Sequence, residues 1–76
     1  MATVGGNIAR LRKAKGLTQR QLGALVNRVD GMAVSRWERG SNMPNSENLV
    51  ALVEALECPL QALYSEPEPE PEREAA

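Results

Sequence analysis

Apolar residues recur at intervals of three and four along most of the chain, and the alternation of β-branched residues that marks strands is missing. The pattern predicts an all-α domain. Val4, Ile8, Leu11 and Ala14 form one stripe of a first helix over residues 6–15, with Arg10, Lys13 and Lys15 on other faces and Gly16 as its stop. Thr18 with Gln21 three residues later is a capping box, in which the hydroxyl accepts from one free backbone N–H and the amide reaches back to another. A second helix follows over 19–26, with Leu22, Leu25 and Val26 as its buried stripe and Gly23 small enough to admit a crossing helix. Residues 27–31 break the period: Asn27 suits a left-handed turn and Asp30 suits an N-cap. The third helix, 31–39, buries Val34 and Trp37, leaves Met32, Ser35, Arg36 and Arg39 on its other faces, and ends at Gly40. Asn45 caps a fourth helix with the stripe Leu49, Leu52, Val53 and Leu56 and a dipole-matched Glu47 in its first turn. Pro59 opens a short fifth helix, in which Leu60, Leu63 and Tyr64 close the core.

Residues 65–76 read SEPEPEPEREAA, alternating proline with self-repelling glutamate and lacking any large apolar side chain. The expectation is a disordered acidic tail behind a folded unit of residues 1–64. About 64 residues bury roughly 60% of the unfolded chain's surface, which suffices only for well-made helices. The core expected from the stripes is Ile8, Leu11, Leu22, Val26, Val34, Trp37, Leu49, Leu52 and Leu56.

Composition then narrows the chemistry. The 76 residues hold one small domain, with 9 Lys+Arg, 10 Asp+Glu and a net charge of -1 that hides a split. Residues 1–40 carry eight Lys+Arg against Asp30 and Glu38, a surplus of six, whereas residues 41–76 carry Arg73 against eight glutamates, a deficit of seven. Such asymmetry points to a polyanion-facing half and an acidic tail. With no histidine and one cysteine, Cys58, a zinc site, a disulfide framework and a Ser/His or Cys/His catalytic pair are all excluded. No metal, no cofactor and no catalysis are expected. The first seven residues lack the basic and apolar regions of a secretion signal, and the most apolar run, 49–63, is interrupted by Glu54, Glu57 and Pro59. A cytoplasmic chain with no membrane contact is the expectation, since a secreted chain this small needs staples. Cys58 reads as buried packing.

Two short helices joined by a tight turn, the first capped by Thr18 and the second carrying arginines opposite its buried residues, are the elements of a helix-turn-helix. The runs LRKAKGLTQRQLGALV, VSRWERG and MPNSENLVALVEALECPLQAL resemble the Cro/cI-type (XRE) helix-turn-helix domain of phage repressors and bacterial regulators over residues 7–64. The resemblance implies a compact five-helix, lambda-repressor-like fold that binds double-stranded DNA and regulates transcription, as a repressor that occludes a promoter.

Carried onto matching positions, the resemblance implies that the third helix lies in the major groove. Arg36 would read guanine there through O6 and N7, with Ser35 and Met32 as further base contacts, the methionine touching a thymine methyl. Gln19, Thr18 and Arg20 at the start of the second helix, and Arg39, Ser41 and Asn42 at the end of the third, would hold phosphates. Arg12 and Glu38 match the family's partly buried ion pair between the first and third helices. Trp37, flanked by arginines, suggests base stacking, yet its spacing from Val34 and the lack of other aromatic neighbours favour the core. The connection from Val26 to Ala33 is one residue longer than the family's usual turn, with Asn27 in place of its glycine and Gly31 and Met32 in place of polar readers. Arg28 and Asp30 in that longer turn are candidates to compensate for those readers, without a contact assigned to either.

One such domain makes about 3 to 5 phosphate contacts, so useful specificity needs a homodimer at least on DNA, paired through helices 4 and 5 around Leu60, Leu63 and Tyr64. An alternative reading is an antitoxin-like or adaptor protein of the same fold whose main partner is another protein, held by that same surface. The acidic tail reads first as a solvated segment that aids solubility; the alternative is that Glu66, Glu68, Glu70, Glu72 and Glu74 fold back transiently over the basic face and compete with phosphate.

Overall fold

A computed structural model describes residues 3–65, and the acidic tail expectation, apart from Ser65, lies outside the described residues. Four α-helices and one 3₁₀ turn follow in order: α1 (Val4–Ala14), α2 (Gln19–Leu25), α3 (Gly31–Arg39), α4 (Ser46–Leu56) and the turn Leu60–Leu63. The all-α expectation is met, with one correction: the fifth helix is a single 3₁₀ turn, closed by i to i+3 bonds from Ala62 N–H to Pro59 and from Tyr64 N–H to Gln61.

Caps explain where each helix begins. Thr3, Thr18, Asp30 and Asn45 all have extended backbones, and each side-chain oxygen accepts from the N–H three residues on. Thr3 starts α1 two residues earlier than the apolar stripe predicts. Both halves of the Thr18–Gln21 capping box form, at 3.0 and 2.9 Å. Three helices end in a left-handed residue, Gly16, Gly40 and Glu57, with paired bonds running back five and three residues, the Schellman arrangement. Glycine takes that conformation freely and Glu57 does not. Its carboxylate is held by Lys15 Nζ at 2.5 Å, a tie between the C-terminal ends of α1 and α4.

The core comprises Ile8, Leu22, Val26, Val34, Trp37, Leu52, Leu56 and Leu63, all buried. Leu11 and Leu49, expected in that core, are half-buried and pack on its edge. Three further expectations fail for local reasons. Leu25 is 56% exposed, because α2 ends there and Val26, leaving helical geometry at φ -111, turns inward in its place. Leu60 and Tyr64 are exposed, since the one-turn helix is tied down at its C-terminal end and buries Leu63 alone. Ala14, on the last turn of α1, is exposed as well.

The tie is Asn7, a buried polar residue inside the apolar surroundings of α1. Its Nδ2 donates to the Leu63 carbonyl at 2.7 Å and to the Ser65 carbonyl at 3.0 Å, and its Oδ1 accepts from Arg10 Nη2. Both amide protons and the amide oxygen are therefore engaged, which offsets the cost of burying such a group. α1 and α2 both pack on α3, while α4 packs on α2 and on the 3₁₀ turn. At two close approaches a glycine is obligatory. A Cβ on Gly5 would collide with the carbonyls of Trp37 and Glu38, bringing the first turn of α1 onto the last turn of α3. A Cβ on Gly23 would collide with the Val29 carbonyl, so what approaches it is the chain entering α3 and not a crossing helix.

Candidate nucleic-acid interface

α3 is fixed on its inner side by Val34 and Trp37 and clamped at both ends. Asp30 Oδ1 accepts from Ala33 N–H at 2.9 Å, and Gly40, at φ 81, lets Ser41 N–H return to the Arg36 carbonyl at 2.9 Å. Its outer side carries Met32, Arg36 and Arg39 at i, i+4 and i+7, all exposed. Ser35 is half-buried at the margin of that stripe. An arginine and a methionine standing on a rigid helix are suited to a flat, polar, anionic target, because their positions are set by the core and not by loops.

A second layer joins α1, α2 and α3. Arg12 donates to Glu38 through Nε at 2.5 Å and Nη2 at 3.1 Å, and through Nη1 to the Leu17 carbonyl at 2.8 Å. The two side chains are only 12% and 8% exposed, so this fork-on-carboxylate pair is largely out of water. Glu38 Oε1 also accepts from Gln19 Nε2 at 2.9 Å. The first residue of α2 is thus attached to the last turn of α3 through the same carboxylate that neutralises α1.

The eight Lys and Arg side chains among the described residues divide into two groups. Arg12 and Lys15 are in ion pairs, Arg10 donates to Asn7, and Arg39 Nε donates to the Ser35 carbonyl at 3.4 Å. Arg20, Arg28, Arg36 and Lys13 have no hydrogen-bond or ion-pair partner among the described residues. Three of these four lie on α2, α3 or the turn between them. Against five Asp and Glu in the same residues the surplus is three positive charges, which favours a polyanion.

The structure places the sequence candidates as follows. Thr18 Oγ1 accepts from Gln21 N–H in capping α2 and keeps its O–H to donate, and Arg20 is exposed two residues further on. Gln19 is half-buried with one amide proton on Glu38. Ser41 and Asn42 are exposed in the loop after α3, with their backbone N–H groups directed to the Arg36 carbonyl. Met32, Arg36 and Arg39 therefore share the outer side of α3, and Ser41 and Asn42 follow at its C-terminal end. Trp37 faces inward with 5% exposure and is unavailable for stacking. Burial pushes the Cys58 thiol up, with the Arg10 charge opposing it, which disfavours the thiolate. No group of three metal-ligating side chains gathers among the described residues, and no helix in them is long and apolar enough to cross a membrane.

Sequence reasoning placed the longer turn between α2 and α3 and its left-handed Asn27, but missed Asn7, the Gln19 link to Glu38, the left-handed Arg28 and the bond from Asn27 to α4. In that turn Asn27 and Arg28 both adopt left-handed backbones, at φ 56 and 59. Such a conformation costs about 1–2 kcal/mol per non-glycine residue. Asn27 is compensated, because its Nδ2 donates to Asn48 Oδ1 at 2.8 Å and anchors the turn to the first turn of α4. The signal available for this was the extra residue itself.

Two arginine-bearing helices at a tight turn, packed as α2 on α3 over a shared core, define a helix-turn-helix protein. The helix-turn-helix family model matches residues 8–63, and the chain belongs to that family, in its Cro/cI (XRE) branch. The chain is similar to the repressor protein C2 of Salmonella phage P22, 44% identical over 55 residues that make up 72% of this chain and 25% of that protein. The HTH-type transcriptional regulator DicA of Escherichia coli K12 is 37% identical over 70 residues, 91% of this chain and 51% of DicA. The chain thus spans a quarter to a half of the length of these relatives. Among solved structures, the P22 c2 repressor in complex with a synthetic operator superposes with a TM-score of 0.78 at 40% identity, covering 83% of this chain and 94% of that one. PlcR of Bacillus thuringiensis, in complex with a peptide and DNA, superposes at 0.74 and 30% identity, over 84% of this chain and 22% of PlcR.

Proposed function

We propose that this chain is a sequence-specific binder of double-stranded DNA that represses transcription by occupying a promoter in the cytoplasm, without cofactor or catalysis. The observation that carries the reading is the exposed stripe of Met32, Arg36 and Arg39 on a helix locked to the core by Val34 and Trp37, in a chain of this family. With α3 in the major groove, Arg36 donates both guanidinium nitrogens to O6 and N7 of a guanine, a pairing worth about 1–3 kcal/mol of discrimination. Met32 packs on a thymine methyl, and Ser35 reaches a neighbouring base from the edge of the stripe. Thr18, Gln19 and Arg20 on one side, and Arg39, Ser41 and Asn42 on the other, hold the two strands' phosphates and set the register. Glu38 keeps the Gln19 amide in place for that contact.

Specificity on a genome needs two copies on a two-fold-symmetric site, with half-sites about 34–36 Å apart. Leu63, expected in the pairing surface, is buried; Leu60 and Tyr64, 51% and 54% accessible, are exposed there along with Val50 of α4 and are candidates for pairing or for another protein. That exposure is also what favours the second reading, in which the same fold serves mainly as a protein-binding adaptor. Selection on a randomised duplex library near physiological salt, with Arg36→Ala in parallel, separates the two. A symmetric site with guanine preference, lost in the variant, is the expected result; weak, sequence-blind binding by the native protein overturns it in favour of the adaptor.

A further inference from the structure

The turn between α2 and α3 is an expensive piece of backbone. Two consecutive residues with side chains stand in the left-handed region, where a single glycine would make the reversal freely. Asn27 tolerates that conformation and is bonded to Asn48 and, at 3.5 Å, to the Glu47 carbonyl. Arg28 gains nothing comparable. It is exposed and has no hydrogen-bond or ion-pair partner among the described residues, so the fold itself supplies no reason for an arginine at φ 59.

What the strained turn achieves is placement. Arg28, Arg20, Ala24, Val29, Asp30 and Gly31 line an open hollow of about 560 Å³ at the start of α3. Gly31 is in close approach there, since a Cβ on it would lie 3.3 Å from both Cα and N of Arg20. The first residue of α3 and the second of α2 are therefore side by side, and Arg20 and Arg28 stand around the same opening. Asp30 is the one acid lining it, and its Oδ1 accepts from Ala33 N–H, so the hollow carries two unpaired guanidinium groups against one carboxylate engaged in capping. The N-terminal end of the recognition helix is the end that meets base edges, and the DNA backbone bordering the groove passes beside it.

We infer that Arg28, together with Arg20, holds a backbone phosphate of the DNA strand that borders the groove at the N-terminal end of α3. The inference rests on the DNA-binding reading above and adds to it a contact made by the lengthened turn. Asn27 is the positioning residue, because its bonds to α4 fix the turn from which Arg28 projects. The contact is with phosphate and carries no sequence information, so it sets affinity and register and leaves base preference to α3.

The test is Arg28→Gly, with Arg28→Lys beside it, in a salt titration of binding to mixed-sequence duplex DNA followed by fluorescence anisotropy. Glycine removes the cation and also relieves the backbone, so the variant folds and its Tm rises by a few degrees. Its DNA affinity falls several-fold, and the slope of log K against log salt becomes shallower by about 0.9, the signature of one lost phosphate contact. Lysine retains the charge and the native slope. An Arg28→Gly protein that binds with native affinity and native slope overturns the inference while leaving the DNA-binding reading intact. Native protein that shows no salt-dependent binding to duplex DNA overturns both.

Discussion

The carboxylate of Glu38 offers the sharpest test of how stability and site geometry are linked. In Glu38→Ala, Arg12 loses its Nε and Nη2 acceptors and keeps only the Leu17 carbonyl. The guanidinium remains at a place where the native side chain is 12% exposed, an unpaired and largely buried charge. Breaking one partner of such a pair costs about 3–5 kcal/mol. A domain of this size has roughly 3–9 kcal/mol in total, at 0.05–0.15 kcal/mol per residue. The variant is therefore expected to lose a third or more of its stability and to be partly unfolded in water.

Urea denaturation followed by Trp37 fluorescence measures this directly, because the single tryptophan is buried in the core. At a slope of about 1 kcal/mol per molar urea, the low end expected for a small domain, the midpoint falls by about 3–5 M. Replacing both partners, as in Arg12→Met with Glu38→Leu, removes the unpaired charge and restores stability to within about 1–2 kcal/mol of native. The double variant has nevertheless lost the acceptor of Gln19 Nε2, so its DNA affinity is expected to stay several-fold low while its fold recovers. A Glu38→Ala protein within 0.5 kcal/mol of native, on the order of a surface change, refutes the reasoning. So does a double variant as unstable as the single one, because the loss would then come from packing and not from charge.

Gly5→Ala forces a methyl against the Trp37 and Glu38 carbonyls; thermal denaturation is expected to show a loss of about 1–3 kcal/mol, in the range of core overpacking. Asn7→Ala leaves the buried Leu63 carbonyl without its donor, at a cost of about 1–3 kcal/mol, and hydrogen exchange is expected to show the 3₁₀ turn opening before the α-helices. Lys15 holds the Glu57 carboxyl below its ordinary value, by hydrogen bond and then by charge, against a small opposing effect of burial. A lowered folded-state value means that the pair contributes above the ordinary carboxylate range and loses that contribution as pH falls through the folded value. Glu57→Gln should flatten the acid limb of the stability curve slightly, more at low salt than at high.

The helices were legible because their signals are local. Three caps, two glycine stops and a 3.6-residue apolar period act within a few residues of themselves, and α3 and α4 lie where those signals place them. Errors arose where burial depends on what lies across the fold. Leu25 satisfies the helical period as well as Val26 does, and only the termination of α2 decides which of them turns inward. Leu60 and Tyr64 are apolar enough for a core that one turn of 3₁₀ helix cannot extend to them. Asn7 was invisible for the opposite reason: its value lies in carbonyls 56 and 58 residues away, and nothing in its neighbourhood distinguishes it from a surface asparagine.

The same distinction governs the candidate site. Arg36 and Met32 could be placed on an outer face from spacing alone, because Val34 and Trp37 fix the inner one. The family pattern pairs Arg12 with Glu38, but spacing does not reveal that Glu38 also takes Gln19, since 19 residues separate those two. That third bond changes how the site is understood. One carboxylate serves the charge of α1, the end of α3 and the first side chain of α2, so the orientation of a proposed phosphate contact depends on an ion pair that otherwise belongs to the core. In the turn the relation is reversed. Asn27 commits a polar side chain to α4 so that Arg28, which contributes nothing to the core, stands at a fixed place beside the recognition helix. On the proposed contacts, stability supports the interface at Glu38 and is given up for it at Arg28, so the two substitutions are expected to move stability in opposite directions while both weaken DNA binding.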